Sequence, residues 1–269
     1  MTTPTHSELD TECNRVPDYR SLLDLSGRRY IVLGGGQGMG RQISHALAQV
    51  GAQVVVVDSD SVRADQVSAE IGAESAVVDA TDDTQMSSLA TSVGDVDGVV
   101  DVIGMARYAS LVDTTDETWL WEYDIVLRHA ALVVRHFGPR VGNGGVGSLT
   151  FVSSVSGTGS SPQHGAYGVF KAGLLSLVRT AAVELGPAGV RVNAVAPGFV
   201  FTPRISEAMD DAGISRAIES SPLQRLTFPS DVASALLFLV SDLSRSVTGH
   251  TLVVDAGATV KYPYDMSGF

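Results

Sequence analysis

Tyr167 and Lys171 stand four residues apart in the stretch AYGVFK, residues 166–171, in a chain with two lysines and seven tyrosines. On a helix, residues four apart share a face, so the ammonium lies near the phenol and favours the phenolate. A phenol placed in this way can act as a general acid or base near neutral pH. The competing reading is an exposed tyrosine beside a solvated lysine, and the surroundings must decide between the two. A second stretch with chemical content is GGGQGMG, with glycines at 34, 35, 36, 38 and 40. Glycines permit positive φ and close backbone approach, and a helix starting inside the loop presents free N–H groups and a positive dipole end to a pyrophosphate. Asp58 follows Gly40 by eighteen residues. There a carboxylate accepts hydrogen bonds from both hydroxyls of an adenosine ribose and repels a 2′-phosphate. Neither Gln37 nor Ser59 offers a cation to such a phosphate, and Arg41 and Arg63 are the nearby cations. The other role open to Asp58 is that of a helix cap or turn residue.

These residues need a scaffold, and the pattern of the chain predicts one. From residue 29 onward, β-branched runs (RYIVLG, QVVVVD, SAVVDA, GVVDVIG, SLTFVSS, VRVNAV, HTLVVDAG) alternate with segments of helical period. Alternation of this kind predicts parallel strands joined by crossover helices. Near-continuous apolar strands predict a sheet covered on both faces, a single α/β doubly wound Rossmann-like domain. Long helices are expected over about 116–137 and 164–186, and another over 229–241. Residues 1–26 read as an N-terminal arm and 27–269 as the nucleotide-binding domain. Residues 199–228 read as a mobile excursion over the substrate.

Composition narrows the function. The chain of 269 residues is 44% hydrophobic, enough for a substantial core. A net charge of −12, from 18 basic and 30 acidic residues, argues against the basic face that nucleic acid or an anionic membrane requires. Small-molecule chemistry is expected instead. Cys13 is the only cysteine, so no disulfide forms within the chain, and no metal site is expected. His129 and His136, seven apart on a predicted helix without an acidic partner in register, read as packing or interface residues. No apolar run reaches membrane-spanning length and the first residues lack the pattern of a signal peptide, so the protein is expected to be soluble and cytoplasmic. No Gly-x-Ser-x-Gly elbow supports a serine hydrolase.

With the glycine loop, the acidic strand end and Tyr-x-x-x-Lys in this order, the chain from about Gly27 to Gly257 resembles the short-chain dehydrogenase/reductase family. The resemblance implies that Gly34, Gln37, Gly38, Met39 and Gly40 cradle the cofactor, with Leu33 where the family usually has threonine. Asp79 and Ala80 would bracket the adenine, and Gly104 would follow the fourth strand. Pro197, Gly198, Val200 and Thr202 in VNAVAPGFVFTP would line the nicotinamide side. The family's serine falls thirteen residues before the tyrosine, on Ser154. In the reaction so implied, Tyr167 moves the proton, Lys171 lowers the phenol pKa and holds the nicotinamide ribose, and Ser154 holds the substrate oxygen. The cofactor would be NAD. The family habit of pairing its two long helices implies a homotetramer, and the run AALVV at 130–134 supplies apolar surface for it.

Two departures from the family stand out. Asp101, Val102 and Ile103 precede Gly104 where the family usually carries Asn-Asn-Ala, and Val126 occupies the position of its catalytic asparagine. Apolar packing by Val102 or Ile103 is the expected replacement for the lost asparagine brace. The leading function is an NAD-dependent oxidoreductase interconverting a secondary alcohol and a ketone. The alternatives are a catalytically impaired NAD-binding sensor or scaffold, favoured by Val126, and a lyase or epimerase using the same pocket. Candidate substrate-lining residues are Met105, Ser156, His164 and Phe199. Together with Tyr108 and the apolar residues of 199–228 they predict an apolar or cyclic substrate.

Overall fold

The structure, a computed structural model, describes residues 4–142 and 146–261, with Ala208 described in its backbone alone. The outer ends of the expected arm (1–3) and of the expected domain (262–269) lie outside the described residues. The strands are β1 (Arg29–Leu33), β2 (Gln53–Asp58), β3 (Glu74–Val77), β4 (Gly98–Asp101), β5 (Gly147–Val152), β6 (Val190–Pro197) and β7 (Thr251–Val254). They form one parallel sheet in the order β3-β2-β1-β4-β5-β6-β7. The chain therefore reverses its direction of winding between β1 and β4, and a crevice opens beyond the carboxyl ends of those two strands. The five inner strands are buried on both sides, as expected for a doubly wound fold, while the edge strands β3 and β7 are partly exposed.

The helices are α1 (His6–Cys13), α2 (Gly38–Gln49), α3 (Ser61–Ile71), α4 (Asp83–Val93), α5 (Asp116–Glu122), α6 (His129–Phe137), α7 (Tyr167–Leu185), α8 (Pro203–Ala208), α9 (Asp211–Ser220) and α10 (Pro229–Val240). On one face of the sheet Met86 and Leu89 of α4, Val133 and Phe137 of α6, and Leu174 and Val178 of α7 meet Val99, Leu149 and Phe151. On the other face Ile43 and Leu47 of α2, Val67 of α3, and Val232 and Leu236 of α10 meet Val32, Val56 and Val195. Among the described residues no helix is long and apolar enough to cross a membrane.

The expected continuous helix over 116–137 is interrupted. A wide turn of π geometry over Tyr123–Arg128 joins α5 to α6, and the fully buried Val126 lies in it. Such an extra residue in a helical turn is a recurrent feature of functional sites. The second long helix begins at Tyr167, not at 164. The 199–228 excursion contains two helices, α8 and α9, and its root is closed where Phe201 N–H donates to Thr227 O at 2.8 Å and Phe201 meets Phe228 edge-on. The run AALVV is largely consumed by the protomer's own core, since Ala130 and Val133 are fully buried and Leu132 nearly so. It cannot supply the interface surface expected of it. The apolar side chains left exposed on this pair of helical segments are Leu120, Tyr123, Val169 and Val183.

Arg191, at the start of β6, is the other unexpected core feature. Its guanidinium is buried and donates to Leu239 O at 2.8 Å, Ser244 Oγ at 2.9 Å, Ser241 O at 3.3 Å and Val240 O at 3.4 Å. Three of these acceptors are carbonyls at the end of α10, where the helix dipole is negative. Burial pulls the guanidinium below its usual pKa, opposed by Tyr30 and Asp242.

Candidate active site

The glycine loop occupies the turn between β1 and α2. Gly34 and Gly38 have φ of +76° and +53°, values that favour glycine. A Cβ on Gly40 would sit 2.0 Å from Gly34 O, so the turn admits no side chain there. Gln37 caps α2 without a side-chain hydrogen bond, whereas Asp60 caps α3 and Asp82 caps α4 with their carboxylates. The first N–H groups of α2 thus face the crevice unspent, the arrangement that binds a pyrophosphate. This cradle fits a dinucleotide cofactor.

Gly34, Gln37, Gly38, Met39, Gly40, Asp58, Asp79, Ala80, Gly104 and Thr202 all line the crevice, as the sequence predicts. Val78, Ile125, Pro203 and Arg204 also line it, and no residue pattern singled them out. Asp79 receives Thr81 N–H at 2.9 Å, which fixes its carboxylate at the rim. Val102 and Ile103 close onto Gly34, within 3.1 Å of where a Cβ would lie. Pro197, Gly198 and Val200 are not among the crevice's lining residues; Gly198 instead packs on Asp255, where a Cβ would stand 2.6 Å from the aspartate's own.

Asp58 is tied down from three sides. Its Oδ2 accepts from Gly36 N–H at 3.0 Å, and its Oδ1 accepts from Asp60 N–H at 3.1 Å and Arg63 Nη2 at 3.2 Å. The expectation that no cation faces the ribose position is therefore corrected. Arg63 lies on the first turn of α3 and reaches back over the carboxylate, a reach the sequence spacing alone does not show. Arg41 is spent elsewhere, 2.9 Å from Glu70.

Two residues past the end of β5, Ser154 caps a short turn, its Oγ accepting from Ser156 N–H at 3.1 Å. The same hydroxyl faces the phenol of Tyr167, which begins α7, and acts to lower its pKa. One turn on, Lys171 is 1% exposed, with Nζ 5.6 Å from the Tyr167 ring centre and donating to Val152 O at 2.8 Å. Ser153 fastens the strand end to this helix by donating to Lys171 O at 3.2 Å. Gly104 has φ +157°, and a Cβ there would meet Nζ at 2.7 Å, so this glycine makes room for the lysine. The structure thus brings Ser154, Tyr167 and Lys171 together beside the crevice.

The electrostatics differ from expectation. Burial pushes the Tyr167 phenol up to about 12, opposed by its hydrogen bond with Ser154, and Lys171 is not among the charges that lower it. Burial pulls Lys171 down to about 8, opposed by the carboxylate of Asp101. The lysine's ammonium points at a carbonyl, not at the phenol.

Beside the triad lies a second cleft lined by Ser110, Leu111, Ser156, Thr158, Ser160, Ser161, Gln163 and His164. Ser156 and His164 are placed there as expected. Met105 lies on the cofactor crevice, and Phe199 lines neither of these two clefts. Tyr108, His164 and Tyr167 form a chain of rings with centroids 5.9 Å and 6.5 Å apart. The segment carrying Tyr108 is held to this cleft by Ala109 N–H donating to Gln163 O at 3.0 Å. Glu122 was not foreseen: it is fully buried, accepts from Arg107 N–H at 2.7 Å, and is pushed up by burial.

The two histidines also need correction, because both have acidic partners. His136 Nε2 lies 2.6 Å from Asp83 on α4, and His129 Nε2 lies 3.0 Å from Asp101 on β4. The second pair joins β4 to α6 alongside the apolar packing of Val102 and Ile103.

A glycine-rich turn on a doubly wound sheet beside a serine, tyrosine and lysine defines a nicotinamide-dependent oxidoreductase of the Rossmann type. A family model described as enoyl-(acyl carrier protein) reductase matches residues 34–259. Galactitol 2-dehydrogenase (L-tagatose-forming) of Cereibacter sphaeroides is 33% identical over 90% of this chain and 99% of its own. L-xylulose reductase of Bos taurus is 35% identical over 87% of this chain and 98% of its own. Among solved structures, a 7α-hydroxysteroid dehydrogenase complexed with NADH and a bile-acid ketone superposes with a TM-score of 0.85 at 28% identity, covering 90% of this chain and 98% of that one. A short-chain type dehydrogenase/reductase from Mycobacterium ulcerans gives 0.85 at 27% identity over 91% and 94%. The chain belongs to the short-chain dehydrogenase/reductase family.

Proposed function

We propose that this protein is an NAD(H)-dependent oxidoreductase that interconverts a secondary alcohol and a ketone in a single catalytic domain, with a polyhydroxylated substrate. The observation that carries the reading is the placing of Ser154 just past the end of β5, of Tyr167 at the start of α7 and of the buried Lys171 one helical turn on, against Gly104 of the glycine-lined crevice. A bound nicotinamide supplies or accepts the hydride. Tyr167 gives its proton to a ketone oxygen or takes one from an alcohol, Ser154 orients that oxygen, and Lys171 supplies positive charge beneath the site.

A phenol near 12 is protonated at neutral pH, so ketone reduction finds its acid ready, whereas alcohol oxidation needs the phenolate. Oxidation is therefore expected to speed up as pH rises above neutrality while reduction does not. Equal pH profiles for the two directions would contradict the assignment of Tyr167. The hydroxyl-rich cleft of Ser110, Ser156, Ser160 and Ser161 supports a polyol in place of the apolar or cyclic substrate first expected, and the relatives named for galactitol and xylulose agree. Turnover of a panel of polyols, steroids and cyclic alcohols, followed through NADH absorbance, tests this; sole use of apolar alcohols would refute it.

Asp58 supports NAD over NADP, since a fixed carboxylate at the ribose position repels a 2′-phosphate. The preference in kcat/KM is expected to be about tenfold, the equivalent of ~1.4 kcal/mol. Arg63→Ala is expected to widen it by removing the one cation over that carboxylate. Equal kcat/KM for the two cofactors in the wild type would contradict this. Homotetramer assembly and a cytoplasmic location complete the reading. They are supported by the exposed Leu120, Tyr123, Val169 and Val183 and by the acidic, one-cysteine composition.

A further inference from the structure

The active-site helices carry a buried acid–base pair that the reading above leaves unused. Asp101 is the last residue of β4, two beyond Val99, so it points to the same face of the sheet, the face covered by α6 and α7. There His129 descends from α6, with Nε2 3.0 Å from Asp101 Oδ2 but outside hydrogen-bond geometry, both atoms being buried without a hydrogen-bond partner, and the two side chains are 1% and 2% exposed. Asp101 Oδ1 accepts from Ile103 N–H at 3.0 Å, and this holds the segment leading to Gly104. Lys171 descends to the same face from α7: β4 and β5 pair Asp101 with Phe151, and Nζ donates to the carbonyl of the next residue, Val152. The carboxylate of Asp101 acts on the lysine and favours the ammonium. A buried carboxylate is a weak source of stability, and apolar replacements of equal volume are often neutral or stabilising. Simple packing therefore does not account for a carboxylate at this spot.

We infer that Asp101 and His129 are positioning residues for Lys171. The carboxylate, held by the Ile103 amide and shielded by the buried imidazole beside it, supplies the negative charge that favours the ammonium form of the buried lysine. The pair does this in a chain where Val126 leaves the facing turn of the helix without a polar side chain. The inference rests on the proposed reaction for its purpose, yet the charge state it concerns is measurable without cofactor or turnover.

The chain has two lysines, Lys171 and Lys261. Protein grown on lysine carrying carbon-13 at Cε therefore gives two resonances, whose titration reports the buried one directly. The ionisable groups around it are Asp101 on β4, His129 on α6, Tyr167 on its own helix, and Glu122 and Tyr108 facing the phenol. In the wild type Lys171 should titrate at about 8. In Asp101→Asn its midpoint should fall by about one unit, which lowers the charged fraction about tenfold at pH above both midpoints. NADH binding, read by fluorescence, should weaken in that same window. The double variant Asp101→Leu/His129→Leu separates charge from packing: it is expected to fold and melt near the wild type while showing the same fall in the lysine midpoint. An unchanged Lys171 midpoint in either folded variant overturns the inference. Absence of turnover in the wild type would count against the reaction and not against the pair.

Discussion

Tyr167→Phe is expected to lower kcat by about three orders of magnitude, the upper part of what a positioned proton donor contributes. The phenylalanine keeps the ring, and with it the edge-on contact to His164 and the start of α7. Only the hydroxyl is lost, together with its interaction with Ser154. No loop glycine and neither Asp58 nor Asp79 is touched, so NADH affinity should stay within about twofold, a change of under ~0.5 kcal/mol. The paired measurement is steady-state kcat with a ketone substrate and the dissociation constant for NADH by fluorescence. A variant that keeps a tenth or more of its turnover would remove Tyr167 from the proton transfer. One that loses both turnover and binding would make it a structural residue.

The largest effect on stability is expected far from the chemistry, at Arg191. Arg191→Met keeps the buried stem but removes the guanidinium's bonds to Ser244 Oγ and to the carbonyls at the end of α10, of which Leu239 O and Ser241 O retain only Ser244 as donor. An unsatisfied buried acceptor costs about 1–3 kcal/mol, and several share this guanidinium, so a loss of about 3 kcal/mol is expected. For a domain of this size that lowers Tm by about 6–12 °C. Thermal melting followed by circular dichroism is the check, and a Tm within about 2 °C of the wild type would mean that water takes over the donor's place. Activity at low temperature should survive, because no atom of Arg191 reaches the crevice residues.

The strands and the doubly wound class were legible because buried parallel strands read as near-continuous apolar runs alternating with segments of helical period. The glycine loop was legible for a similar reason: Gly40, pressed against Gly34 O, admits nothing else, so the residue type itself reports the geometry. Ser154, Tyr167 and Lys171 could be named from spacing and resemblance together, since strand end and helix start fix their relative places. What escaped depends on contacts between residues distant in sequence. Arg63 folds back on Asp58 from the next helix, and Asp101 meets His129 across twenty-eight positions of chain. Periodicity cannot report either pairing. The pKa directions escaped for a further reason. Helical spacing places Lys171 beside Tyr167, but burial depth and the competing carbonyl of Val152 decide which charges act. Nor does the sequence show that Phe201 turns onto Phe228 or that the hydroxyl-rich 156–164 segment lines the cleft beside the triad.

The central claim is that this chain moves hydride between a carbinol carbon and a nicotinamide, with Tyr167 handling the proton. It is tested most directly with wild-type protein, NAD and a polyol deuterated at the carbinol carbons, by analysing the nicotinamide product by mass spectrometry. The account predicts reduced cofactor carrying one deuterium, formed more slowly than with the protiated polyol. Deuterium retained in the polyol, with no reduced cofactor formed at a pH where NAD binds, would contradict it and leave a protein that holds the dinucleotide without using it.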